Sequence, residues 1–264
     1  MSAPAAIPYD SFIAEFYDYI PTVTVRHDLE FYVSAAREYG DPILELGCGT
    51  GRILLPLARE GSNVAGLDIS EAMLDRCRAK LAAESAAVRR HVQLQRGDMA
   101  DFDLDAAFRL IIIPFRPFQH LLEVEQQLAC LRCAHRHLVP GGRLILDVFQ
   151  TDARRIHDPA FLKETPPLPE ISLPDGRKLV QAERTAAFHR AEQRNDVELI
   201  HYVTHPDGRQ ERLVFAFTLR YFFRYEVEHL LARAGFRVAE LYGNFDRSPL
   251  RDDSPEMLFV AEKT

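Results

Sequence analysis

A glycine-rich turn between an apolar strand and a helix constrains the fold of this chain most strongly. The segment ILELGCGTGR, residues 43–52, opens with an apolar run and carries glycines at positions 47, 49 and 51. Glycine lets a backbone turn tightly and lets a ligand approach it closely. Apolar side chains at helical spacing follow in residues 53–58. The order strand, glycine turn, helix predicts a nucleotide-like ligand at the turn.

Strand and helix patterns alternate through the first 150 residues. Ser70 stands where the N-cap of a helix belongs. A longer helix with apolar residues between Val124 and Leu138 is followed by Pro140-Gly141-Gly142, which predicts its end. Near-continuous apolar strands separated by helices predict a parallel sheet with helices on both faces and right-handed crossovers. The predicted strands are 43–46, 64–69, 92–94, 110–113 and 144–149.

The alternation of strand and helix patterns ends after residue 150. Prolines mark an irregular stretch at 166–174, and then strands follow one another without helices, with Asp207-Gly208 as a turn. This pattern predicts an antiparallel insert over about 175–223. A helix over 225–234 and strands over 236–242 and 257–261 follow.

These patterns predict one α/β fold with added segments. Its centre is a Rossmann-like seven-stranded sandwich, a parallel sheet with a reversed last strand, to which a small antiparallel β insert and a helical N-terminal lid are attached. The predicted organisation is a lid segment at 1–40, a core at 41–150, a substrate-covering segment at 151–223 and a completion of the core at 224–264.

Composition excludes several classes of partner. A net charge of −7 and a pI near 5.8, without a basic run, disfavour nucleic acid. No stretch of ~18 apolar residues suggests a membrane span, and the N-terminus lacks a secretory pattern, so we expect a cytoplasmic protein. Four cysteines fit a reducing compartment.

The CxxC pair Cys130 and Cys133 lies inside a helical pattern without a second pair, so we interpret it as packing thiols. Metal or redox chemistry is the alternative. The histidines are not grouped as metal ligands, and no metal site is predicted.

The type of ligand follows from the residues that flank the glycines. A dinucleotide turn of the form G-x-G-x-x-G would need its third glycine at position 52, where Arg52 stands. A pyrophosphate would gain little from the acidic Glu45 nearby, and an acid at this position suits a cationic ligand better. Asp68, at the end of the second strand, suits the ribose of either kind of cofactor.

At this point the chain resembles class I S-adenosylmethionine-dependent methyltransferases. ILELGCGTGR looks like their first motif, GLDIS like their second and RGDMADF like their third, in that order. The resemblance implies that the 47–51 backbone holds the methionine moiety and that Asp68 binds the ribose. It also implies that Ile69 and Met73 flank the adenine, which Asp98 and Met99 of the third motif meet as well. The implied cofactor-binding residues are Tyr17, Glu45, Gly47, Cys48, Gly49, Gly51, Asp68, Ile69, Met73, Gly97, Asp98, Met99 and Pro114. The alternative is that Asp68 and Asp98 cap helices or turns.

The fourth strand ends in IIIPFRPFQHLL, where this class places groups near the departing methyl group and the acceptor. Methyl transfer is an in-line displacement for which alignment matters most. His120 titrates in a useful range for a general base, or is a structural histidine. Arg116 binds an anionic group of the acceptor, or pairs with an acid on the surface. The predicted catalytic residues are Arg116, Gln119 and His120.

The remaining segments resemble small-molecule methyltransferases such as those that dimethylate amino sugars. YDSFIAEFYD, the insert and AGFRVAELYGNF carry this resemblance. The implied substrate-binding residues are Tyr9, Phe115, Tyr221 and Asn244, and for the tyrosines near the N-terminus packing is the alternative. DNA amino methyltransferases carry Asn or Asp before Pro-Pro-Tyr or Pro-Pro-Phe where this chain has Ile113-Pro114-Phe115-Arg116.

The resemblance therefore implies an enzyme that methylates a small-molecule acceptor at nitrogen or oxygen with S-adenosylmethionine. The alternatives are an NAD-dependent oxidoreductase and a non-catalytic protein that binds S-adenosylmethionine. We expect a monomer or a homodimer, since the alternating strand around Phe215 and Phe217 is also suited to a dimer surface.

Overall fold

The computed structural model describes residue 9 and residues 12–264, which form two compact units. The sheet unit contains residues 26–150 and 222–264. The insert unit contains the described residues up to 25 together with 151–221. None of the helices between residues 12 and 264 has the length and apolar character that a membrane span needs.

A seven-stranded sheet forms the centre of the sheet unit. Its strands are β1 (Ile43–Leu46), β2 (Val64–Asp68), β3 (Val92–Arg96), β4 (Phe108–Ile113), β5 (Leu138–Phe149), β10 (Phe236–Tyr242) and β11 (Glu256–Lys263). They lie in the order β10-β11-β5-β4-β1-β2-β3. Strands β1 to β5 run parallel, whereas β11 runs antiparallel to both β5 and β10, which confirms the reversed last strand.

Helices cover both faces of this sheet because its strands are apolar on both sides. Along β4, Ile111 and Ile113 belong to one buried cluster, and Leu110 and Ile112 belong to another. Ser70 caps α5 as predicted, since its side chain accepts a hydrogen bond from the N–H of Met73. The helices of this unit are α3 (Leu29–Tyr39), α4 (Leu54–Arg59), α5 (Glu71–Ala82), α6 (Ala86–Arg89), α7 (Val124–His137) and α8 (Arg224–Arg233).

The antiparallel insert is present and forms a four-stranded sheet in the order β6-β7-β8-β9. Its strands are β6 (Ile171–Ser172), β7 (Lys178–His189), β8 (Arg194–Thr204) and β9 (Gln210–Arg220). The N-terminal helices α1 (Ile13–Phe16) and α2 (Pro21–Thr24) belong to the same unit. Phe16 stacks on the buried ring of His201, so aromatic packing holds this segment on the insert. Of the predicted helical lid at 1–40, residues 1–8, 10 and 11 lie outside the described part.

Candidate functional site

The glycine turn after β1 is held against the end of β2. The N–H groups of Gly47 and Cys48 both donate to the carbonyl oxygen of Leu67, at 2.8 and 3.1 Å. The φ angles of Gly47, Gly49 and Gly51 are +73°, +52° and +79°, a region that favours glycine. At Gly49, no described atom lies within 4 Å of the place that a Cβ would take. The backbone at Gly49 therefore faces open space.

The carboxylate of Asp68 joins the glycine turn to the start of α5. Its Oδ2 accepts a hydrogen bond from the N–H of Gly49 at 2.7 Å, and its Oδ1 accepts one from Ser70 at 2.9 Å. The N–H of Gly97 donates to the backbone oxygen of Asp68 at 2.9 Å. The three sequence motifs therefore meet at the carboxyl ends of β1, β2 and β3, where open α/β sheets bind ligands.

The side chains predicted near the adenine differ in exposure. Ile69 is 40% exposed, whereas Met73 is 2% exposed and faces the interior from the first turn of α5. Asp98 is exposed, and its Oδ1 accepts a hydrogen bond from the N–H of Ala100 at 2.8 Å. Met99 is half-buried and packs against the core. Ile69 and Asp98 thus present accessible surface, and Met73 does not.

Glu45 is a buried acid within β1. Its side chain is 2% exposed, and its Oε2 has no hydrogen-bond partner among the described residues. Burial raises the pKa of Glu45 well above 4.5, although the charge of Arg52 opposes this. A buried carboxyl oxygen without a donor, close to a glycine turn, fits the ammonium group that S-adenosylmethionine carries. The open backbone at Gly49 fits the same ligand.

The segment after β4 has an unusual backbone. Phe115 and Arg116 have φ of +64° and +68°, and a short 3-10 helix, Pro117–His120, follows them. A Cβ at Gly47 would lie 2.8 Å from Cγ of Pro117, so this segment packs directly against the glycine turn. Pro114 is buried at the end of the strand.

Gln119 and His120 occupy different environments in this segment. Gln119 is 1% exposed, and its Oε1 accepts a hydrogen bond from the N–H of Phe149 at 3.1 Å. His120 is half-buried, and burial lowers its pKa from 6.5 to about 4. The expectation that His120 titrates near neutral pH is therefore corrected, because desolvation disfavours its charged form.

A buried ionic network lies beside this segment, and sequence reasoning missed it. It contains three arginines and three acids. The nitrogen–oxygen distances from Arg26 and Arg52 to their acid partners are 2.5 to 3.2 Å, and Arg116 pairs directly with Glu256. The members are Arg26, Arg52, Arg116, Asp28, Asp147 and Glu256. Arg116 thus pairs with a buried acid from β11, not with an acid on the surface.

Arg26 is the centre of this network. It bonds Asp28, Asp147 and Glu256, and its guanidinium lies 4.9 Å from the ring centroid of Phe115. Burial alone would lower the pKa of Arg26, but the three carboxylates raise it above its ordinary value. Arg26 is therefore a permanent cation close to the end of β4.

The predicted residues of the insert unit lie among aromatic rings. The ring of Tyr9 is 6.5 Å from that of Tyr17 and 5.0 Å from that of Phe215. Tyr221 is 9% exposed, and its hydroxyl donates to the backbone oxygen of Arg190 at 3.4 Å. Tyr17, Phe215 and Arg190, the partners in these contacts, belong to the insert unit.

Asn244 lies in the loop after β10 of the sheet unit. It lines a surface pocket of about 450 Å³ together with His27, Phe31 and the neighbouring residues 245–247. Its Oδ1 accepts a hydrogen bond from the N–H of Phe245 at 2.8 Å. Because Phe245 also lies 4.6 Å from the guanidinium of Arg26, this loop borders the ionic network.

The cysteines are buried free thiols. Cys130 and Cys133 both lie in α7, and the sulfur of Cys133 contacts Arg136 at 3.2 Å. Within the described part of the chain, no three His, Cys, Asp or Glu side chains are grouped to hold a metal ion.

Comparisons with known proteins agree with this geometry. Residues 43–142 match a family described as a methyltransferase domain. The chain is 29% identical, over all of both proteins, to the cypemycin N-terminal methyltransferase of a Streptomyces species. It is 29% identical, over 46% of this chain and 47% of the relative, to the dTDP-3-amino-3,4,6-trideoxy-alpha-D-glucopyranose N,N-dimethyltransferase of Streptomyces venezuelae.

A solved structure extends the similarity to the fold of the whole chain. The CcbJ methyltransferase from Streptomyces caelestis is 26% identical with a TM-score of 0.76, covering 99% of this chain and 100% of that one. These findings confirm the resemblance and do not favour an NAD-dependent oxidoreductase. S-adenosylmethionine is the cofactor. The chain thus contains a methyltransferase domain at residues 43–142 and is similar over its whole length to methyltransferases.

Proposed function

We propose that this enzyme methylates an amine nitrogen of a small-molecule acceptor. The choice of nitrogen is supported by the position of His120 in the 3-10 helix that follows β4, where burial lowers its pKa to about 4. A hydroxyl acceptor needs a base to remove its proton, and a group with this pKa is a weak base at neutral pH. An amine only has to be unprotonated when it attacks. The names of two relatives, one acting on an N-terminus and one an N,N-dimethyltransferase, support the same choice.

The proposed cofactor site uses the residues at the ends of the first three strands. S-adenosylmethionine supplies the electrophilic methyl group when it is bound. Gly49 offers open backbone to the methionine end, and Glu45 offers its unpaired oxygen to the ammonium group. In this proposal Asp68 binds the ribose, and Ile69 and Asp98, whose side chains are exposed, contact the adenine.

The test measures cofactor and acceptor separately. Calorimetry with S-adenosylhomocysteine and with NAD is expected to show binding of the first ligand alone. Incubation with S-adenosylmethionine and a panel of amines, including amino-sugar nucleotides and short peptides with a free N-terminus, is expected to add one or two methyl groups by mass spectrometry. The matching hydroxyl compounds are the control. Methylation of hydroxyl compounds alone would overturn the choice of nitrogen.

Glu45→Gln is expected to weaken binding of S-adenosylhomocysteine about 10- to 100-fold, the size of one lost charged hydrogen bond. It should also change the pH dependence of stability. The raised pKa of Glu45 means that the folded state favours its protonated form. The stability that Glu45 contributes in this way is complete below pH 4.5 and is lost as pH rises through the pKa of the folded state. The amide of the variant does not titrate.

The difference in unfolding free energy, variant minus wild type, should therefore increase from pH 5 to pH 8. Urea unfolding of the cofactor-free proteins at both pH values measures it. A constant difference together with unchanged affinity would show that Glu45 does not face the ligand as a buried acid.

His120→Ala is expected to lower kcat about tenfold or more while the affinity for S-adenosylhomocysteine stays within about threefold, since loss of alignment affects the transition state. Because the pKa of His120 is about 4, the wild-type kcat should show no ionisation of this group between pH 6 and 8. Rate measurements over that range, with His120→Asn as the polar control, test this. Equal kcat in all three proteins would remove His120 from the reaction.

A further inference from the structure

Two successive non-glycine residues adopt the left-handed conformation directly after β4. Phe115 has φ of +64° and Arg116 has φ of +68°. L-residues rarely adopt this conformation, because the Cβ atom approaches the following carbonyl oxygen. Such backbone persists only where the surrounding structure enforces it, and it is concentrated at functional sites.

Two buried acids from neighbouring strands hold the turn. The N–H of Phe115 donates to Oδ1 of Asp147 at 2.9 Å, and the guanidinium of Arg116 bonds Glu256. Asp147 lies on β5, and Glu256 begins β11, where it pairs with Phe149. The ring of Phe149 lies 3.5 Å from the guanidinium of Arg116. The sheet therefore anchors both strained residues from its adjacent strand ends.

The carboxylate of Asp147 is itself fixed on every side. It is fully buried, its Oδ1 also accepts a hydrogen bond from the hydroxyl of Tyr32 at 2.8 Å, and its Oδ2 accepts one from Arg26 at 2.7 Å. A carboxylate with these three donors has one orientation. The position of the Phe115 amide is therefore set by α3, β5 and Arg26 together.

We propose that Asp147 is a positioning residue for methyl transfer, with Glu256 as the second anchor of the same turn. The inference rests on the proposed function of this site. By holding Phe115 and Arg116 in the left-handed conformation, Asp147 fixes the direction in which the chain leaves β4 and enters the 3-10 helix. This direction determines where Gln119 and His120 stand relative to the acceptor. Misplacement by about 1 Å is enough to cost ~100-fold in rate.

Asp147→Asn is the principal test. The amide has the shape of the carboxylate, but its NH2 group cannot accept the hydrogen bond from Arg26, so the side chain reorients and the Phe115 amide loses its charged acceptor. We expect kcat with the best amine of the panel to fall 10- to 100-fold, while the Kd for S-adenosylhomocysteine changes less than threefold. Glu38→Gln, which alters an exposed pair with Arg247, is the matched control and should leave both values unchanged.

A second measurement needs no acceptor. In protein labelled with 15N-phenylalanine, the amide proton of Phe115 should resonate downfield in the wild type and shift upfield in Asp147→Asn. Glu256→Gln provides a second variant with the same expected loss of kcat should Asp147→Asn fail to fold.

Wild-type kcat in both variants, an unchanged Phe115 resonance, or a parallel loss of kcat and cofactor affinity would overturn the positioning role. Absence of S-adenosylhomocysteine binding and of amine methylation in the wild-type enzyme would instead overturn the proposed function.

Discussion

Asp68→Ala is expected to weaken the binding of S-adenosylhomocysteine at least 100-fold, about 2.7 kcal/mol. The carboxylate has two functions that alanine cannot replace. It accepts hydrogen bonds from the N–H groups of Gly49 and Ser70, which hold the glycine turn to the start of α5. It is also the proposed acceptor for the ribose hydroxyls. Hydrogen bonds to a charged group are worth about 1.5–3 kcal/mol each, so the loss of either function is large.

Calorimetry with S-adenosylhomocysteine measures the effect of Asp68→Ala. Asp68→Asn is the matched control, because it keeps one carbonyl oxygen for the turn and should lose less affinity. Gly49→Arg tests the open side of the turn separately, since its side chain would project into the space where no described atom lies within 4 Å of the added Cβ. Its φ of +52° adds backbone strain. Affinity of Asp68→Ala within threefold of wild type would exclude this carboxylate from the cofactor site.

The sequence pattern predicted the structure correctly wherever residues close together in the chain determine it. The predicted strand 43–46 matches β1 because its four residues are buried and a glycine turn ends it. Ser70 caps α5 because a short hydroxyl before a helix can satisfy a free N–H group at its start. Asp68 was predicted only to bind a ribose or to cap a helix or turn; its contacts with Gly49 and Gly97 arise because parallel strands bring their carboxyl ends to one edge.

The start of β5 was not predictable in this way. Pro140-Gly141-Gly142 indicated a break, and the strand was expected from residue 144, whereas β5 begins at Leu138. Pairing with β4 explains the difference. Leu138 pairs with Phe108, and the register then shifts so that Arg143 pairs with Leu110. The neighbouring strand therefore accommodates an irregular segment that local propensity alone would place in a loop.

The ionic network could not be predicted from the sequence because its members are distant from one another in the chain. Arg26 meets Asp147 and Glu256 across 121 and 230 residues, and no spacing rule connects such positions. Arg52 was noted only for what it excludes, yet it bonds both oxygens of Asp28. The low pKa of His120 likewise depends on burial by residues that tertiary packing brings together.

Met73 illustrates what a resemblance leaves open. The resemblance implies that Met73 flanks the adenine, which stays a prediction, and its side chain is 2% exposed in α5. The direction of a helical side chain depends on which face of the helix meets the core. A sequence motif gives the order of residues but not which face of the helix they occupy relative to the core.

Asp28→Ala is expected to lower the free energy of unfolding by about 3–5 kcal/mol, the range found when one member of a buried ion pair is removed. Asp28 is fully buried and bonds Arg52 at 2.5 and 2.7 Å and Arg26 at 2.6 Å. Arg26 retains two other carboxylates, but Arg52 loses its bidentate partner beside the glycine turn. Cofactor affinity should therefore fall as well.

Urea unfolding at pH 7 measures the loss of stability in Asp28→Ala. Burial alone would raise the pKa of Asp28, but its bonds to Arg52 and Arg26 lower it, so its contribution is present above pH 3.8 and is lost as pH falls through the folded value. The double variant Asp28→Leu with Arg52→Leu removes both charges and should be more stable than Asp28→Ala, since no arginine then loses its bidentate carboxylate. Glu38→Ala, which breaks the exposed pair with Arg247, should cost less than about 1 kcal/mol. An equal loss in Asp28→Ala and Glu38→Ala would contradict a buried network and would require Arg52 to find another partner.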